Sequence, residues 1–280
     1  MIASLLGLAS ALSWGTGDFA GGLASRKIGS YRAVMFSLAI GLIFTLAALP
    51  IIHETFPDKH TLLWSSIAGI VGAIGLLALY EGLRRGRLSV VAPLSALLGA
   101  AVPIVAGVFV DGQPQPIIFL AFALALIAVV LISIEKSSDT FSESVRNYLH
   151  LPLISGLGFG FYFVLMHEAS RDLVLGPIII ARSSGTIAIA LFLLIKRESF
   201  RIESGSWHLL IISGLFDVGG NALYILAGQA GRLDISAVLS SLYPGMTVFL
   251  AWFILKEKIQ FSQWAGIGLA LVAIVLMTTA

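Results

Sequence analysis

Three ionisable residues, Asp18, Arg182 and Asp217, stand inside long apolar runs. An isolated charge at a helix centre costs roughly 2.5–3.5 kcal/mol on insertion scales, so such a group faces protein or water rather than hydrocarbon. Arg182 and Asp217 together suit a zwitterion, the guanidinium taking a carboxylate and the carboxylate an amine or a proton. They equally suit a structural ion pair that fixes helix packing, and the sequence leaves both readings open. Asn221 and Tyr224 follow Asp217 at i+4 and i+7, which puts all three on one helical face. A polar face on an apolar helix is expected to line a cavity. Asp18 shares a face with Trp14, four residues earlier. It reads either as a proton-coupling or cation-binding carboxylate, or as an interfacial partner of Arg26 or Lys27.

Trp14, Tyr80, Phe159, Tyr162, Tyr224 and Tyr243 are candidates for an aromatic lining against an apolar or cationic substrate. Trp14, Tyr80 and Tyr224 lead, because polar residues share their faces or an internal repeat pairs them. The expected substrate-binding set is therefore Trp14, Asp18, Tyr80, Arg182, Asp217, Asn221 and Tyr224, with Asp18 and Asp217 as proton-coupling candidates. The chain has no HExxH motif, no credible metal set and no GxxxxGK(S/T) phosphate loop. No catalytic residue, metal or cofactor is expected, and no ATPase subunit. Glu81 with Arg84 and Arg85 reads as a charge cluster at a helix end; His167-Glu168 and Arg171-Asp172 read as a solvated rim.

These residues need a scaffold, and composition says which kind. Of 280 residues, 58% are hydrophobic and 11% charged; soluble domains carry about 25% charged residues. The mean hydropathy is +0.99. Too few charges are present to cover a soluble fold, so a cytosolic enzyme, a disordered chain or a nucleic-acid partner is excluded. Basic and acidic residues number 17 and 15, so the net charge of +2 says nothing about partners. Cysteine is absent, which removes disulfides and thiolate sites.

Ten segments have the roughly 20 apolar residues that a bilayer crossing needs: 2–24, 31–51, 62–82, 88–110, 116–134, 149–169, 174–195, 207–229, 234–255 and 261–279. The runs are continuous rather than alternating, and lipid demands that each segment satisfy its own backbone, so all are read as helices. The expected fold is all-α and integral to the membrane. Basic residues follow the first segment instead of preceding it, so a retained helix is expected there rather than a cleaved signal. The longest polar connection, EKSSDTFSESVRNYLH (135–150), separates two halves: a first unit at 1–135, a linker at 136–148 and a second unit at 149–280.

The odd-numbered connections hold thirteen Lys and Arg; the even ones hold only Lys59, Arg171 and Arg232. The positive-inside rule places the odd connections in the cytoplasm and both termini outside the cell (inner) membrane. The halves also align. At a shift of 145, Gly86-Arg87-Leu88 falls on Gly231-Arg232-Leu233, and Ala92, Leu94, Ser95 and Leu97 fall on Ala237, Leu239, Ser240 and Leu242; a shift of 144 pairs Gly75, Ala78, Leu79 and Tyr80 with Gly219, Ala222, Leu223 and Tyr224. Five helices per unit make the copies enter the membrane in opposite directions, the inverted arrangement that puts a substrate site between halves near the midplane. The repeat counterparts of Asp18, Asp217 and Arg182 are Phe163, Ala73, and Leu38 or Ser37. The charges thus belong to an asymmetric task, such as holding one substrate.

Four stretches carry a family resemblance: ALSWGTGDFAGGLASRK (11–27), LLALYEGLRRGRLSVVAPLSAL (76–97), ALYILAGQAGRLDISAVLSSLYP (222–244) and FILKEKIQFSQWAGIGLALVAIVLM (253–277). Across nearly the whole chain the pattern resembles the EamA-type family of the drug/metabolite transporter superfamily. One departure stands out. Asp111-Gly112-Gln113-Pro114 occupies the place of a Gly-Glu pair after the fourth helix, whereas the second copy keeps Lys256-Glu257-Lys258. The resemblance implies ten helices around a central cavity lined mainly by helices 1, 3, 4, 6, 8 and 9, with helices 5 and 10 at the periphery. It also implies secondary transport of a small metabolite, often outward. An amino acid, a similar zwitterion or an organic cation fits the charges, and protons are the candidate coupling ion. A passive facilitator or lipid flippase of the same fold is the alternative, and a membrane enzyme on a lipid-linked substrate a weaker one. Gly17/Gly21 and Gly156/Gly160 have the spacing of close helix packing; Pro93, Pro103 and Pro244 are expected to kink helices 4 and 9.

Overall fold

The computed structural model describes residues 2–52, 54–85, 88–133, 150–171, 173–202, 204–256 and 260–279. The linker expected at 136–148 lies outside the described residues, as do His53, Arg87, Asp172, Glu257 and Lys258. The described residues form helices and no strand. In chain order these are α1 (Ile2–Ile28), α2 (Ser30–Ile52), α3 (Lys59–Arg85), α4 (Leu88–Val110), α5 (Pro116–Ser133), α6 (His150–Ala169), α7 (Leu175–Ile195), α8 (Trp207–Ala230), α9 (Leu233–Ser240), α10 (Tyr243–Leu255) and α11 (Phe261–Thr279), with a 3-10 turn at Ser204–Ser206. Among the described residues six runs are long and apolar enough to cross a membrane: Ser30–Pro50, Lys59–Arg84, His150–Ala169, Leu175–Ile195, Trp207–Ala230 and Leu233–Ile254. Shorter apolar helical stretches cover Ser95–Val110, Pro116–Leu131 and Phe261–Leu276.

Two departures from the sequence reading have clear causes. The segment read as one helix over 234–255 is broken at Ser241-Leu242 into α9 and α10. Pro244 cannot donate to the carbonyl of Ser240 and its ring clashes there, but it fits the first turn of a new helix. Pro103, by contrast, lies within an unbroken α4. The first helix runs four residues beyond the expected end, and Gly29 at φ 85° turns the chain directly into α2.

α1 is diluted by five glycines and four serines, and 15 of its 27 residues are buried. More than half of it faces protein, so it needs less apolar surface than its neighbours. Its glycines let those neighbours close in, as small residues do between membrane helices. A methyl group on Gly15 would stand 2.5 Å from both the Tyr243 carbonyl oxygen and Met246 Cβ on α10; on Gly17 it would stand 3.1 Å from the Asp217 amide on α8; on Gly21 it would overlap the Tyr80 ring from α3. In α6, Gly156 and Gly160 pack in the same way on Leu98 and Val102 of α4, and Gly158 meets Gly75 of α3.

Helix contacts run mainly between α1–α5 and α6–α11. α1 packs on α8 and α3 on α6; α6 packs on α4 and α1 on α9 and α10; α2 packs on α8 and α3 on α7; α5 packs on α11. Each pairing has a mirror image in the other half. The connections gather into two rims. Glu54 and Thr61 meet Val174–Gly176 and Ala169, and Asp111 meets Arg232. Ser30 and Arg32 meet Glu81, Glu198 and Arg201. Asp58 caps α3 by accepting from the Thr61 amide at 2.7 Å, and the Thr61 hydrogen bond holds this exposed carboxyl below the usual carboxylate range.

Gly15→Ala is expected to lower the thermal unfolding midpoint in detergent, because backbone on the facing helix cannot yield; overpacking of this kind costs about 1–3 kcal/mol. Gly268→Ala meets nothing within 4 Å and is expected to leave the midpoint unchanged. Equal midpoints for both variants would show that α1 does not set the packing.

Candidate functional site

The mirrored helix pairs leave a hollow, part of it open to solvent, at mid-height of the bundle. Its walls carry Trp14 and Asp18 from α1, Leu38 from α2, Gly69, Gly72, Ala73 and Leu76 from α3, Phe159, Tyr162 and Phe163 from α6, Ala181 and Arg182 from α7, Asp217 and Asn221 from α8, and Tyr243 from α10. Gly69, Gly72 and Ala73, with Leu76, follow helical periodicity, so one face of α3 makes a wall of mostly small residues. The helices that line it differ from those expected. α2 and α7 contribute, and no described residue of α4 does, because α4 turns its glycine-matched face to α6. Helices α5 and α11 pack on each other and supply no wall.

Arg182 is 4% exposed, and its Nη2 pairs with Oδ2 of Asp217, joining α7 to α8. Its Nη1 is buried without a hydrogen-bond partner among the described residues. The room for that nitrogen comes from Gly41, where a methyl group would stand 3.1 Å away. Asn221 Nδ2 donates to the Asp217 carbonyl at 2.6 Å, and the Tyr162 hydroxyl donates to Asn221 Oδ1. A polar chain thus runs Tyr162, Asn221, Asp217, Arg182 across three helices. Asp18 is 9% exposed and faces the same hollow, with no hydrogen bond or ion pair among the described residues; the alternative partnership with Arg26 or Lys27 is not made.

Of the seven expected residues, five line the hollow and two do not. Tyr80 is fully buried behind the wall, over Gly21, with its hydroxyl 2.9 Å from Ser213 Oγ, which in turn lies 2.8 Å from Ser37 Oγ. It braces α3 against α8 and α2. Tyr224 leaves the face of Asp217 and Asn221: its ring lies 4.8 Å from that of Phe163 and 5.7 Å from that of Trp14, and its hydroxyl donates to the Phe163 carbonyl at 3.2 Å. Tyr224 instead lines a second hollow with His167, Ser170, Arg171 and Gln229.

Phe163 was missed as a lining residue, and the repeat carried the signal. Phe163, Ala73 and Leu38 are the counterparts of Asp18, Asp217 and Arg182, and all six line one hollow. Equivalent positions are occupied on both sides, by charge on one and carbon on the other. Glu81 and Arg84 form the expected helix-end pair at 2.7 Å, and Glu168 meets Arg171 and His60 at the rim. No cluster of three or more metal-ligating side chains occurs among the described residues.

The sequence model of the EamA-like transporter family matches residues 1–134 and again 148–279. The chain belongs to the EamA-like transporter family. The family is one of membrane transporters, in keeping with a multi-pass chain of long apolar helices. The uncharacterized protein MJ1333.1 of Methanocaldococcus jannaschii is 25% identical over 138 residues, which is 98% of that protein and 48% of this one. A protein of known crystal structure superposes with a TM-score of 0.79 at 15% identity, over 99% of this chain and 96% of that one; at that identity the likeness concerns the fold alone.

Asp217→Asn is expected to destabilise the protein by about 3–5 kcal/mol, because Arg182 is left buried without its counter-charge. Adding Arg182→Met should recover most of the loss. Thermal unfolding of the single and double variants in detergent measures this; a single-variant loss below about 1 kcal/mol would mean that water already screens the pair.

Proposed function

We propose that this protein is a secondary transporter that exports a small zwitterionic metabolite, an amino acid or a close relative, by alternating access of two inverted five-helix halves. The observation that carries the reading is a pair of polar groups in one hollow between the halves that have no hydrogen-bond partner among the described residues: the carboxyl group of Asp18 and Nη1 of Arg182. A buried polar group without a partner costs about 1–3 kcal/mol, and a ligand that supplies both partners recovers that cost. Its ammonium meets Asp18 and its carboxylate meets Arg182, while Trp14, Phe159 and Tyr162 cover its apolar part.

Asp18 and Asp217 then have separate roles. Asp217 is neutralised by Arg182 and holds the site together. Asp18, with no counter-ion among the described residues, exchanges a proton against the substrate's ammonium, which couples outward movement to proton entry. The mirrored helix pairings and the family's two matches support the two-state mechanism. The lysine and arginine bias supports cytoplasmic odd connections and termini outside the cell membrane.

In proteoliposomes with an imposed pH gradient, the parent protein is expected to accumulate a radiolabelled amino acid found by thermal-shift screening. Asp18→Asn should lose accumulation but keep substrate exchange, and Arg182→Ala should lose binding. Accumulation by Asp18→Asn equal to that of the parent would refute the coupling role, and binding unchanged in both variants would refute the site.

A further inference from the structure

The two halves are joined at one rim by a carboxylate that belongs to neither helix it serves. α7 begins after Val174, which offers no side-chain cap. Its first amides are taken instead by Glu54, from the connection between α2 and α3. Oε1 accepts from Val174 at 2.9 Å and Leu175 at 3.0 Å, and Oε2 accepts from Leu175 and Gly176 at 2.9 Å each. A carboxylate on a helix N-terminus answers both its orphan donors and the positive end of its dipole. Pro57 of the same connection presses on Gly176, where a methyl group would stand 2.8 Å from Cγ. Thr61 Oγ1 donates to the Ala169 carbonyl at 3.2 Å beside it.

The repeat supplies a second copy of this device. At the shift of 144 that aligns α3 with α8, Glu54 falls on Glu198, and Val174, Leu175 and Gly176 fall on Ser30, Tyr31 and Arg32. Glu198 does lie at the start of α2, but it is disengaged. Its nearest charge is the Arg32 guanidinium at 3.9 Å, its side chain is 49% exposed, and it accepts no hydrogen bond among the described residues. Arg32 turns instead to the Arg201 carbonyl at 3.2 Å, and Ser30 gives its hydroxyl to Glu81. One member of the pair is fully seated and its equivalent at the opposite rim is not.

We infer that Glu54 and Glu198 are reciprocal latches: each closes its own rim by capping the first turn of a helix in the other half, and only one is seated at a time. The inference rests on the alternating-access reading and adds what holds each state. Here the Glu54 rim is latched. In the opposite state Glu54 leaves α7, and Glu198 takes the amides at Ser30–Arg32.

The chain has no cysteine, so a single Phe159→Cys on the cavity wall reports which rim admits a charged, impermeant thiol reagent in oriented vesicles. Glu54→Ala should raise labelling from the Glu54 rim about tenfold relative to the other rim, the scale of one strong charge–dipole contact. Glu198→Ala should lower it, and the double variant should return it towards the parent value. Glu54→Ala and Glu198→Ala ratios equal to the parent's overturn the latch. Pro57→Cys with Gly176→Cys gives an independent measurement, since that bridge ties the Glu54 rim shut. Oxidation should stop transport and reduction restore it, and full transport while oxidised also overturns the latch. A parent that moves no substrate defeats the transport reading itself and leaves the labelling ratios to judge the latch.

Discussion

A charge at mid-height in an apolar bundle has to be answered by protein, and the centre of this molecule is organised by that constraint. Arg182 could not stay buried at 4% exposure without Asp217, because an isolated ion in a low-dielectric interior costs far more than the fold can spare. The pair fixes α7 against α8. Asp217 in turn receives Asn221 through its carbonyl, and Asn221 receives Tyr162 of α6. A single ion pair thus determines the relative placement of three helices around the hollow. What it leaves over, one guanidinium nitrogen and the separate carboxylate of Asp18, gives the hollow its chemical character.

Symmetry explains why the hollow exists, and its breaking explains what the hollow can hold. The helix pairings repeat in mirror fashion, so equivalent positions from both halves arrive at the same cavity. Trp14 is answered by Phe159, Asp18 by Phe163, Asp217 by Ala73 and Arg182 by Leu38. A fully symmetric lining would offer two equal half-sites. Charging one side and filling the other with carbon makes one polar site with an apolar cover. The rims follow the same logic, with Glu54 on the α7 amides and Glu198 only beside the Arg32 guanidinium, so the two faces are alike in sequence and different in contact.

The packing that brings these groups together depends on absent side chains. The glycines of α1 and α6 bring α10, α8, α3 and α4 within backbone distance. Between apolar helices in lipid, close van der Waals approach is the main attraction available. The aromatic stack of Trp14, Phe163 and Tyr224 fills the space that remains between the two hollows.

The sequence by itself determined the helices and most of their limits, because hydropathy over some twenty residues is a local property and continuous apolar runs of that length suit helices rather than barrel strands. It also determined the repeat, the family and the five lining residues Trp14, Asp18, Arg182, Asp217 and Asn221, since polar groups in apolar runs can be read one at a time. Tertiary structure alone decided the rest. Tyr80 was drawn behind the wall by Ser213 on another helix, and Tyr224 was turned aside by Phe163. α2 and α7 entered the lining, and Glu54 found amides 120 residues away. Each of these depends on a neighbour that is remote in the chain, and periodicity along one helix carries no information about which helix stands opposite.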